Sequence, residues 1–124
     1  IEHFFNLDDD HFLMVPLPDF LFNGKPKSDH LIFTRLHDNS MDRVISPKSI
    51  IGIDTDPPKI EDGSIVICYY QNQIKIRRYS DLKKDHKIAF ETDKKNLDNK
   101  RDILSKKDVL ILGRVVSVFS SLSV

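Results

Sequence analysis

The segment from Ile65 to Tyr79 constrains the fold more than any other part of the chain. Ile65-Val66-Ile67-Cys68-Tyr69-Tyr70 is a short apolar run rich in β-branched and aromatic residues, and Gln73 to Tyr79 follows after only Gln71-Asn72. Residues of this kind fit a pleated, half-buried surface, and a two-residue connection closes a hairpin. The second arm, Ile74-Lys75-Ile76-Arg77-Arg78-Tyr79, interleaves basic and apolar side chains. The same grammar recurs along the chain. Apolar runs at 31–37, at Ile50-Ile51-Gly52-Ile53, at Lys87 to Glu91 and at Val109 to Phe119 read as strands, the last punctuated by Gly113. Turn chemistry separates them: Asn23-Gly24, Ser46-Pro47-Lys48-Ser49, Asp56-Pro57-Pro58, Glu61-Asp62-Gly63 and Lys83-Lys84-Asp85-His86. No long 3.6-residue periodicity appears, so the expectation is a mainly β domain.

The 124 residues suit one domain. We read 1–29 as an extended N-terminal segment, 30–119 as the core and 120–124 as a frayed tail. Pro16 and Pro18 forbid a regular helix in the first of these. Residues 92–108 are highly charged, with Leu97, Ile103 and Leu104 as their apolar anchors. They are expected to form a solvated excursion with a short helical turn.

Charge excludes one class of surface. Lys plus Arg and Asp plus Glu number 19 each, so the basic excess of a nucleic-acid-binding face is missing. Cys68 is the single cysteine, which excludes an internal disulfide and a thiolate zinc site. Its apolar neighbours mark it as a core residue, and a reduced, cytoplasmic setting is the simplest fit. No apolar run is long enough to span a membrane. His3, His11, His30, His37 and His86 are scattered without metal-ligand spacing, and the four glycines are dispersed, so neither a metal nor a phosphate-bearing cofactor is expected.

The candidate site is His37-Asp38-Asn39-Ser40-Met41-Asp42, directly after the first core strand. Asp, Asn and Ser favour turns and helix N-caps because their side chains bond nearby backbone N–H groups. Ser40 is therefore either a cap or a nucleophile at the start of a turn, where N–H groups stand ready for an oxyanion. His37 is too close to the turn, and Asp38 too close to His37, for a Ser-His arrangement; a satisfied strand-end histidine is the plainer reading.

The order of segments then carries a resemblance. Ser40-Met41 after a strand, Asp62-Gly63-Ser64-Ile65-Val66, the basic hairpin arm and the closing Gly113-Arg114-Val115-Val116-Ser117-Val118 resemble the C-terminal, peptidase-like domain of LexA and the lambda-type phage repressors. The resemblance covers about residues 30 to 119. It implies a compact curved sheet and a Ser-Lys dyad that cuts the protein's own linker. Ser40 matches the nucleophile and Met41 the residue that commonly follows it, with Asn39 the neighbour on the other side. The family's base lies in a Val-Lys-Arg-Leu-like pattern, which falls on Ile76-Arg77-Arg78-Tyr79 and puts Arg77 at the lysine position without a gap.

Arginine breaks that chemistry. A Ser-Lys dyad needs a neutral amine to take the hydroxyl proton, whereas a guanidinium, with a pKa of about 12.5 or more, stays protonated. Lys75 points to the same strand face but lies about 6.6 Å further along, at about 3.3 Å per residue. It is the alternative base only if the register slips. The small-residue pair at which relatives are cut, usually Ala-Gly, is also missing, because Ala89 is the single alanine.

The resemblance further implies a homodimer, or higher homo-oligomer, through Arg114, Val115, Val116, Val118 and Phe119. DNA would be contacted only by a helix-turn-helix domain upstream of this chain, which starts at Ile rather than Met. Such a repressor works in the cytoplasm of a bacterial host cell, and with Arg77 in place its release from DNA would fall to another trigger, such as a small antirepressor protein. The competing expectation is an active self-cleaving peptidase that uses Lys75.

Overall fold

The structure is a computed structural model that describes residues 30–57 and 59–119. The expected extended segment at 1–29, with Pro16 and Pro18, and the tail at 120–124 lie outside the described residues. The strands are β1 (Leu31–Arg35), β2 (Ile50–Asp54), β3 (Ile65–Tyr70), β4 (Gln73–Asp81), β5 (Lys87–Glu91), β6 (Arg101–Ser105) and β7 (Leu110–Phe119). They form one sheet in the order β1-β2-β7-β3-β4-β5-β6, with every pairing antiparallel. The mainly β expectation holds.

The β3–β4 hairpin closes where the sequence says it should. Tyr70 pairs with Gln73, and the two residues between them both adopt left-handed backbone, with φ of 53° at Gln71 and 63° at Asn72. That mirror-image turn matches the twist of the strands it joins. The turn before β3 is equally local: Ser64 N–H donates to the Glu61 carbonyl across Asp62-Gly63, and Gly63 has φ of 90°.

Curvature comes from β7. Its residues 110–114 pair with β3 and its residues 114–119 with β2, so Arg114 faces both Val66 and Asp54. Register shifts at Gly52/Ile53 and at Ile67/Cys68 bend the sheet around this shared strand. Gly113 sits at the bend. A Cβ there would lie 2.6 Å from Ile53 Cγ2 and 2.7 Å from the Asp54 carbonyl oxygen, so only glycine lets the strands approach.

Alternation along β3 supplies two cores. Ile67, with Ile65 at its edge, packs with Ile32, Leu36, Met41, Ile45, Ile51, Ile53 and Ile76. Val66, Cys68 and Tyr70 turn the other way, to Tyr79, Ile88 and Phe90. A strand covered on both faces has no polar side to show, which is why β3 reads as a continuous apolar run. Cys68 is fully buried, and burial pushes its thiol up to about 12, so it is an inert core residue.

Two expectations need correction. The first strand stops at Arg35 rather than at 37, because Leu36 N–H donates to the Ser49 carbonyl and its own carbonyl accepts from Lys48 N–H. Residues 92–108 are not simply a solvated excursion: β6 pairs along the whole of β5, and Thr92 and Asp93 are buried. β6 is an edge strand with charged Arg101 and Asp102, and its Ile103 is half exposed. Main-chain pairing rather than side-chain burial makes it a strand, so no alternation betrays it. The short helical turn is present at Lys106–Asp108. Among the described residues no helix is long and apolar enough to cross a membrane.

Candidate functional site

Ser40 is presented by a tight turn that its neighbours hold. Asp42 N–H donates to the Asn39 carbonyl, and the N–H groups of Val44 and Ile45 both donate to the Met41 carbonyl. Met41 and Ile45 are buried in the first core and pin the turn from below, whereas Asn39 is exposed. Asp38 does the capping that residue type alone had offered to Ser40. Its Oδ1 accepts from Ser40 N–H at 3.1 Å and from Ser40 Oγ at 2.8 Å. Ser40 itself is 8% exposed.

A second contact to this turn comes from far along the chain. Asp93 N–H donates to the Ser40 carbonyl at 2.8 Å, Arg43 N–H donates to the Asp93 carbonyl at 3.1 Å, and Lys95 N–H donates to Asp42 Oδ1 at 2.7 Å. The Asp93 carboxylate is itself buried and doubly paired. It accepts from Arg43 Nε and Nη2, and from Arg78 Nη2 at 2.9 Å. The Arg43 hydrogen bond, aided by Arg78, holds the Asp93 carboxyl below the usual carboxylate range against the opposing effect of burial. Reading the residues in order missed Asp93, which lies in a stretch taken for solvated. Nothing local marks it, because both of its arginine partners are distant in sequence.

The hairpin arm divides its side chains between the two faces. Ile76 packs with Met41, and Arg78 reaches Asp93; Tyr79 packs in the other core, and Lys75 lies over the Tyr70 ring, 4.3 Å from its centroid. Arg77 belongs with this second set, where its charge is felt by Cys68 and Tyr70. Its Nη1 donates to the Ile76 carbonyl at 2.7 Å, and Lys75 Nζ donates to Gln71 Oε1 at 3.4 Å. Among the described residues no hydrogen bond joins Ser40 to Arg77 or to Lys75. The structure instead ties the Ser40 turn, through Asp93, to Arg78. Among the described residues no three or more His, Cys, Asp or Glu side chains gather as a metal site would need.

Chemically, a serine hydroxyl donating to a carboxylate is ordered but hardly activated, since a carboxylate is a far weaker base than a neutral amine. The residues expected at a subunit contact lie in β7 at the middle of the sheet. Val115 lines the first core, Phe119 packs near Phe33 with ring centroids 6.4 Å apart, and Arg114 is half-buried. Val116 and Val118 are 42% and 40% exposed. Residues 115–119 pair with β2 along one edge, and no described strand pairs their other edge.

Sheet and turn together define a class: a mainly β domain, bent about one shared strand, that presents a serine on a buttressed turn. The chain belongs to the Peptidase S24-like family, whose family model matches residues 3–116. That family includes the C-terminal domains of LexA and of phage repressors. No curated protein matches the chain.

Proposed function

We propose that this chain is the regulatory and assembly domain of a phage-type transcriptional repressor whose Ser-Lys site no longer cleaves. The observation that carries the reading is that Ser40 Oγ donates to Asp38 and is joined by no described hydrogen bond to Arg77 or Lys75, while Lys75 is engaged with Gln71 and the Tyr70 ring. The resemblance puts Arg77 at the family's lysine position. A guanidinium cannot take the serine proton. Without self-cleavage, release of the repressor from DNA falls to a bound protein, an antirepressor that docks on this domain. Pairing of repressor copies follows from the paired half-sites of operators. The exposed Val116 and Val118, beside a strand edge that no described strand covers, support β7 as the contact between copies.

Intact mass spectrometry of the full-length parent, followed over time from neutral pH to about pH 10, tests the reading, because a lysine base with a free pKa of about 10.4 is unmasked there. The expected result is an uncut chain throughout. Fragments that grow with pH and vanish in Ser40→Ala would overturn it and point to Lys75. Cleavage that appears only in Arg77→Lys would show that the substitution alone silenced the site.

A further inference from the structure

We infer that Asp93 is the positioning residue of the Ser40 turn. As a role in Ser40 chemistry this rests on the reading of Ser40 and Arg77 as the family's nucleophile and base positions. As a role in the turn's geometry it does not. Four observations converge on it. The main chain of Asp93 brackets the turn, donating to the Ser40 carbonyl and accepting from Arg43 N–H. Its carboxylate takes both the Nε and Nη2 of Arg43, a residue of the same turn. The second oxygen also takes Arg78 from β4, which fixes the turn against the hairpin arm that carries the base position. Lys95, two residues on, adds the bond to Asp42.

The arrangement has a consequence for the serine. Asp38 orients the hydroxyl locally, but Asp38 and Asn39 are exposed and move with the turn. Met41 anchors one side of the turn through apolar packing, which is non-directional. Asp93 supplies the directional restraint: two main-chain bonds and a forked carboxylate–guanidinium contact define one orientation. A nucleophile must be held within a fraction of an ångström of its productive position, so a residue that never touches a substrate can still set the rate.

Amide hydrogen exchange of the whole chain, with and without Asp93→Asn, tests the geometric part. Asparagine keeps the shape and the main-chain bonds but loses the charge that Arg43 and Arg78 share. The expected result is exchange about tenfold faster at Arg43, Val44 and Ile45, with the β3 and β4 amides unchanged. Acceleration spread evenly over the sheet, or none, would overturn the inference. Arg43→Gln, on a half-exposed side chain, is the milder variant and is expected to give the same pattern more weakly; an unchanged pattern there would count equally against it. The second readout uses full-length Arg77→Lys. If that chain cleaves itself, adding Asp93→Asn is expected to slow it about tenfold with the midpoint of its pH profile unmoved, because the base is untouched. An unchanged rate would overturn the positioning role, whereas an uncut Arg77→Lys chain would overturn the assignment of Arg77 and leave the exchange result to decide Asp93.

Discussion

Asp93 keeps its charge where only 6% of its surface meets water, and the physical reason fixes how the protein responds to acid. The Arg43 and Arg78 contacts hold its folded pKa below the unfolded value of about 3.9. A depressed carboxylate contributes stability that is present above the unfolded pKa and is lost as pH falls through the folded one. Thermal unfolding between pH 7 and pH 2 is therefore expected to show a falling midpoint below about pH 4. Asp93→Asn is expected to lower the midpoint at neutral pH and to flatten part of that acid limb. Asp81, held low first by the Lys83 N–H and then by Lys106, keeps its own share of the limb in the variant. Parallel acid limbs in the two proteins would contradict this account. Ser40 and Asp38 were legible as turn residues from their types alone. Which of the two would cap the turn was not, because both can accept a backbone N–H and only the folded geometry chooses.

At the scale of elements, short-range chemistry was readable and long-range pairing was not. Gln71-Asn72 announced a hairpin because strand, turn and strand are contiguous, and the register then follows from the two-residue loop. Arg101–Ser105 concealed an edge strand, because its partner β5 contributes main-chain bonds and little burial. β7 was readable as a strand, but its double allegiance to β2 and β3 was not. That sharing makes Gly113 sensitive. Gly113→Ala would push a methyl group against Ile53 and the Asp54 carbonyl, and overpacking of this kind costs about 1–3 kcal/mol. Denaturant unfolding is expected to show a lower midpoint with an unchanged slope. A neutral Gly113→Ala would mean that β2 and β7 can separate freely at the bend.

For the whole molecule, the proposed pairing of copies is the reading to test. Val116 and Val118 project from β7 with two-fifths of their surfaces exposed. If this face and the neighbouring edge join two copies, Val116→Glu is expected to convert the full-length protein to monomers in sedimentation. The thermal midpoint at low concentration should stay close to that of the parent, since surface changes of this kind usually fall within about 0.5 kcal/mol. Persistence of the oligomer would move the contact elsewhere. A charge placed on an exposed valine disrupts a shared surface without opening the core.

The sequence by itself determined that this chain is a mainly β domain with a buried Cys68 and a turn at Ser40. Each of these depends on residue type or on neighbours a few positions away. Tertiary structure alone decided that Asp93 grips the Ser40 turn, that Arg78 rather than Arg77 is drawn toward it, and that one strand serves both halves of the sheet. Arg43 and Asp93 are separated by 50 positions, and no periodicity encodes such a pair. Only closing the sheet brings the two charges within reach, the carboxylate buried and the Arg43 side chain half-exposed.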